Sequence, residues 1–125
     1  MDLSCIQAKI QEYRGDGWLF CDHHHRDEIA YDILGLDRTK MTTRRWFYFI
    51  PRQGTPTKLV QRIEAKRLDG LPGETIVYVG WRDMREKLKE VVGSYPKVFM
   101  QYSPDNNIPM VSLVDAGTVE LIRSF

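Results

Sequence analysis

The sequence predicts an α/β fold, a three-layer-like sandwich with a mixed β-sheet flanked by helices. Three observations carry this prediction. Short apolar runs bounded by turn residues read as strands at Gly17–Cys21, Trp46–Ile50, Thr57–Ile63, Ile76–Val79 and Val98–Met100. Other segments repeat apolar residues at helical spacing. The resulting order is helix–strand–helix, paired strands, strand–helix–strand, helix, which packs as helices over a sheet.

Taken in chain order, Ile6, Ile10 and Tyr13 recur at i, i+4, i+7 and mark a helix from about Leu3, closed by Gly15. Gly17–Cys21 follows the turn pair Asp16-Gly17 as a strand, and Asp22–Asp27 is a polar loop. Asp27 caps a short helix carrying Ile29, Ala30, Ile33 and Leu34, which Gly35 ends. Trp46–Ile50 is apolar without alternation, as a strand covered on both faces requires, and Pro51 stops it. In Thr57–Ile63 the inward residues are Leu59 and Val60. Asp69–Gly73 is a turn, and Ile76–Val79 is a second buried strand. A helix from about Arg82 to Val92 places Met84, Leu88, Val91 and Val92 on one face, with Gly93 as its stop. After the strand Val98–Met100, Ser103–Pro109 is a loop, and Asp115 caps a last helix with Val119 and Ile122 inward.

Composition bounds the function. The chain has 125 residues, 42% hydrophobic and 28% charged, which suits one soluble globular domain. Its longest strongly apolar run, Trp46–Ile50, is far below the roughly 20 residues that span a bilayer, so no membrane partner is expected. The start, MDLSCIQAKIQEY, does not read as a signal peptide. Cys5 and Cys21 are too few for a disulfide scaffold and too distant for a CxxC motif, and a cytoplasmic setting is the expectation. The net charge of +1 hides an uneven distribution: −5 over residues 1–37, +8 over 38–67 and −2 over 68–125.

Three features invite a chemical reading. Asp22-His23-His24-His25-Arg26-Asp27 holds all three histidines of the chain. Imidazole and carboxylate suit zinc, manganese or iron, but consecutive histidines in an extended loop alternate sides, so a third ligand has to come from elsewhere. The alternatives are a polar loop hydrogen-bonded to backbone, or a loop facing a ligand or partner. A Cys21–His23 pair at a strand end is a further arrangement, although WLFC places the thiol in a buried run. The basic segment 38–67 interleaves Arg38, Lys40, Arg44, Arg45, Arg52, Lys58, Arg62, Lys66 and Arg67 with Trp46, Phe47, Tyr48 and Phe49. Aromatics that stack bases and cations that track phosphates make a single-strand nucleic-acid platform. The competing reading makes the aromatics core and the cations a rim, and under it nucleic acid is not a partner.

Several strings then resemble one family. DHHHRDEIAYDILGL, TRRWFYFIPRQGTP, KLVQRIE, LPGE and YSPDNNIPMVSLVDAGTVELIRS are similar to the N-terminal domain of Xaa-Pro aminopeptidases and prolidases, the creatinase/prolidase type, from about Ile6 to Phe125. The resemblance implies a ribonuclease H-like N-terminal domain at 1–125, expected to precede a pita-bread catalytic domain that is absent from this chain. That C-terminal catalytic domain would hold two divalent metals (manganese, zinc or cobalt) through two aspartates, one histidine and two glutamates. None of these ligands maps onto this chain, so no catalytic, cofactor-binding or metal-ligating residue is assigned in it. The chain alone is expected to be inactive. The implied partners are the C-terminal domain, a homo-oligomeric assembly, and short proline-containing peptides through the parent. The implied role is to shape substrate access and oligomer contacts, with His23, His24, His25, Asn106 and Asn107 as candidate cleft-facing residues. The alternative is a stand-alone single-stranded nucleic-acid or protein binding module using residues 38–67.

Overall fold

The structure is a computed structural model and describes residues 1–125. Its elements are α1 (Leu3–Glu12), β1 (Gly17–Asp22), α2 (Glu28–Leu34), β2 (Trp46–Pro51), β3 (Thr57–Gln61), β4 (Glu74–Tyr78), α3 (Trp81–Val92), β5 (Val98–Phe99) and α4 (Ala116–Arg123). They form one five-stranded sheet in the order β4-β3-β2-β1-β5. β2 is antiparallel to β1 and β3, whereas β3 and β4 are parallel, as are β1 and β5. Four strands therefore point the same way and β2 alone is reversed. The predicted mixed sheet and its flanking helices are observed.

β2 shows why both faces must be covered. All six of its residues are buried. Because side chains alternate along a strand, Trp46, Tyr48 and Ile50 enter one core with Phe20, Val60, Ile10 of α1 and Ala30 and Leu34 of α2. Phe47 and Phe49 enter the other with Leu19, Leu59 and Met84, Leu88 and Val92 of α3, against which Leu121 and Ile122 of α4 also pack. Leu59 and Val60 are both buried but on opposite faces, as adjacent strand residues must be.

The structure corrects several local expectations. α1 ends at Glu12, and Tyr13 is 65% exposed rather than part of its buried stripe. The left-handed residue that closes the helix is Arg14 (φ 59°), which lets Gly15 N–H reach the Ile10 carbonyl at 2.9 Å. Gly15 is needed for space instead, since a Cβ there would lie 2.4 Å from the Phe99 ring. Pro51 belongs to β2 and pairs with Gly17. β3 stops at Gln61, whose side chain caps a short 3₁₀ turn at Arg62–Glu64, and Ile63 is left exposed. The connection back to β4 buries Leu68 and Leu71 where the sequence suggested only a turn. β4 is an edge strand that is only partly covered, and Val79 lies beyond its end, 53% exposed. β5 is two residues long, so Met100 falls outside it. The Ser103–Pro109 loop contains a 3₁₀ turn at Pro104–Asn106, with Asp105 and Asn106 in the left-handed region.

Candidate functional site

The topology assembles one edge of the sheet from the carboxyl ends of β1, β3, β4 and β5 and the amino end of β2. In open α/β sheets ligands bind beyond the carboxyl ends of the strands, and the polar loops of this chain gather there. The central loop is Asp22–Asp27, whose shape Asp22 dictates. The buried Asp22 carboxylate accepts the backbone N–H groups of Arg26 (2.8 Å) and Asp27 (2.9 Å) through Oδ1, and the Tyr31 hydroxyl (3.0 Å) through Oδ2. Folding the chain back on one carboxylate forces His24 and His25 into the left-handed region, both at φ 56°. Histidine is among the residues that tolerate it best.

The loop is therefore not the extended run that the sequence suggested. His23 and His24 meet edge to face at 5.2 Å between ring centroids, while His25 turns away and stacks on Tyr31 at 5.2 Å. The backbone N–H of His24 donates to the Thr42 carbonyl at 2.9 Å. No group of three His, Cys, Asp or Glu side chains converges to hold a metal ion.

A buried polar relay anchors the loop from below. Asp27 caps α2 by accepting Ala30 N–H at 3.0 Å, and its other oxygen accepts the Gln101 side-chain amide. Gln101 Oε1 in turn accepts the Trp18 indole N–H at 2.8 Å. Burial pushes the Asp27 carboxyl up, and the hydrogen bonds from Ala30 and Gln101 oppose that shift. These bonds leave no buried polar atom of the relay unsatisfied.

His23, Arg26, Arg45, Leu113, Val114, Asp115 and Thr118 surround a small cleft over Cys21, Asp22, Asp27 and Phe47. Asp115 is the N-cap of α4 and accepts the Thr118 amide at 2.9 Å and hydroxyl at 2.7 Å. Its partial burial works against ionisation, but these bonds prevail and hold the carboxyl below its usual range. Partial burial, together with the Arg26 charge, keeps the His23 imidazole below its usual value and so favours its neutral form. Beside the cleft, the Glu64 carboxylate accepts the backbone N–H groups of Thr43 (3.0 Å) and Arg44 (2.7 Å). Tyr78 donates its hydroxyl to the Arg45 carbonyl at 2.6 Å.

The cleft contains no activated nucleophile. Burial first, then the nearby carboxylates of Asp27, Asp115 and Asp22, push the Cys21 thiol up to about 12. A thiolate is the reactive form, so at pH 8 iodoacetamide is expected to modify the exposed Cys5 and to spare Cys21 in the folded protein. Peptide mass mapping checks this, with a urea-unfolded sample as the fully labelled control. Cys21 and His23, two residues apart at the strand end, both line the cleft, but burial keeps the thiol unactivated.

Of the candidate residues, His23 reaches the cleft, His24 is solvent-exposed beside it, and His25 packs on Tyr31. Asn106 and Asn107 are exposed in the 3₁₀ turn and are not among the residues lining the cleft. Sequence reading did not single out Trp81, which lines two grooves continuous with the cleft through Arg45. Helical spacing puts Trp81 on the same stripe as Met84 and Leu88 and so suggests core. It begins α3 beyond the end of β4, where no sheet remains to cover it, and it is 62% exposed.

The basic segment does not form a stacking platform. Trp46, Phe47, Tyr48 and Phe49 are each at most 2% exposed, and Lys58 and Arg67 are also buried. Arg67 is held internally by the Thr42 hydroxyl (2.6 Å) and the Asp37 carbonyl (3.1 Å), while Arg38 pairs with Asp32. The exposed remainder is divided, because Arg44 and Arg45 precede β2 while Arg52 follows it at the far end of the sheet.

Solved structures share this arrangement from end to end. The N-terminal domain of an Xaa-Pro dipeptidase from Lactobacillus brevis superposes with a TM-score of 0.70 at 12% identity, covering 99% of this chain and 87% of that one. The creatinase/prolidase N-terminal domain of an X-Pro dipeptidase from Streptococcus pyogenes gives 0.62 at 17% identity, covering 98% and 85%. The chain has the creatinase/prolidase N-terminal fold. A prolidase from Thermococcus sibiricus also carries it, with a TM-score of 0.69 at 14% identity, and there the match covers 99% of this chain but 32% of the enzyme. No family model matches the sequence, and no curated protein does either. The creatinase/prolidase N-terminal fold is thus shared at 12–17% identity. No helix of the chain is long and apolar enough to cross a membrane.

Proposed function

We propose that this chain is the non-catalytic N-terminal domain of a Xaa-Pro metallopeptidase of the aminopeptidase P or prolidase kind. In this reading it shapes the access of short proline-containing peptides to a C-terminal catalytic domain and contributes contacts to a homo-oligomer. The observation that carries the reading is the end-to-end match to N-terminal domains of X-Pro and Xaa-Pro dipeptidases, covering 98–99% of this chain and 85–87% of theirs. The cleft offers imidazole, guanidinium and carboxylate groups for polar recognition. Manganese, zinc or cobalt would belong to the catalytic domain, where such a metal would supply the Lewis-acid chemistry for hydrolysis of the bond before proline.

The test has two parts. The purified chain with Mn²⁺ is expected to hydrolyse an Ala-Pro dipeptide no faster than a blank. A polypeptide carrying the two-aspartate, one-histidine, two-glutamate ligand set is expected to be joined to it or to co-purify with it from its native source, with Mn²⁺-dependent Ala-Pro hydrolysis in that complex. Turnover by the chain alone defeats the non-catalytic assignment. A native complex that lacks the ligand set defeats the peptidase assignment.

A further inference from the structure

We propose that the ridge formed by Arg45 and Trp81 docks an acidic segment of a partner protein through a cation-rich rim around an apolar anchor. The inference takes from the function above only that the chain acts through a partner. Trp81 and Val79 are large apolar residues standing 62% and 53% exposed just beyond the end of β4. One groove beside them is lined by His23, Thr43, Arg44, Arg45, Val79 and Trp81 among others. A second, on the other side, adds Arg85, Asp115 and Glu120. Arg82 lies over the Trp81 ring at 5.1 Å.

Charge decides the partner's chemistry. The ion pairs of the molecule are Lys9–Glu12, Arg38–Asp32 and Lys87–Asp83. Arg44, Arg45, Arg82 and Arg85 take part in none of them. Of the nearby acids, Asp115 is committed to capping α4 and Asp83 to Val79 N–H and Lys87, which leaves Glu120 as the one uncommitted carboxylate lining the grooves, against four arginines. Four unpaired guanidinium groups around an exposed indole match the residue types that dominate protein interfaces, where Trp and Arg anchor the binding. The backbone beneath is already fixed, because Glu64 holds Arg44 N–H and Tyr78 holds the Arg45 carbonyl, so docking does not have to order it. The best fit is a peptide segment with carboxylates flanking one apolar side chain. A nucleic acid fits less well, since strand tracking needs successive stacking surfaces and here one indole is offered, with Arg82 over it.

Trp81 also reports on the site. The other two indoles are buried or half-buried, so docking is expected to shift Trp81 emission to the blue. The probe is an acetylated Glu-Glu-Leu-Glu-Glu peptide, followed by indole emission and, with a fluorescein label, by anisotropy. Saturable binding that weakens as salt rises is expected. The double substitution Arg44→Glu/Arg45→Glu is expected to weaken it about tenfold or more, because charge reversal at an interface is repulsive. Trp81→Phe is expected to abolish the emission change while leaving a weaker anisotropy signal. Absence of saturable binding at millimolar peptide, equal binding of the lysine analogue, or tighter binding of an oligothymidylate each overturns the proposal. None of these readouts involves peptide hydrolysis, so a failure here leaves the peptidase assignment to its own test.

Discussion

Asp22→Ala is expected to lower the stability of the domain by about 3–5 kcal/mol. The carboxylate satisfies three donors at once, Arg26 N–H, Asp27 N–H and the Tyr31 hydroxyl. Leaving a buried donor without a partner costs roughly 1–3 kcal/mol, and a methyl group replaces none of the bonds. The loop would lose the constraint that holds His24 and His25 at positive φ, a conformation that is itself unfavourable. Urea unfolding measures the loss, and it is a large share of the roughly 5–15 kcal/mol typical of a domain. Asp22→Asn keeps an acceptor for the two backbone amides and is expected to cost only about 1 kcal/mol. Equal losses for the two variants would show that the loop is not organised by this carboxylate.

Phe47→Ala is expected to cost about 3–5 kcal/mol, the usual range for emptying a large aromatic site in a core. Phe47 sits in the central strand, 2% exposed, between Cys21 and Leu59 on the adjacent strands. Its ring also lines the cleft under His23 and Asp115. The same substitution therefore weakens the core and removes part of the cleft floor, and a lower urea midpoint is expected together with faster alkylation of Cys21. Phe47→Leu, which refills much of the space, is expected to restore most of both. A midpoint within 1 kcal/mol of the parent for Phe47→Ala would contradict the packing described.

The sheet was legible because β2 advertises itself. Five consecutive apolar residues with no alternation have one stable solution in water, burial on both faces, and the structure places them so. Capping was legible for the same kind of reason: Asp27 and Asp115 precede helical spacing and both accept the amide three residues on. What escaped the sequence depends on groups distant along the chain. Nothing local says that Gln101 will bridge Trp18 and Asp27, or that Glu64 will hold Thr43 and Arg44. Trp81 escaped notice for a related reason, since periodicity specifies the face of a helix but not how far the sheet beneath it extends. The histidine loop was located correctly, yet its left-handed turn follows from one buried carboxylate that composition alone does not single out.

The relay through Gln101 has a consequence for how the molecule opens. It ties Asp27, 74 residues earlier in the chain, and Trp18, 83 residues earlier, to a residue whose carbonyl also receives the amides of Leu113 and Val114. Detaching either the histidine loop or the segment leading into α4 breaks hydrogen bonds buried against the other. The two segments are therefore expected to open together as a single foldon, a cooperative unit of local unfolding, so that native-state hydrogen exchange finds the cleft between them lost or kept as a whole.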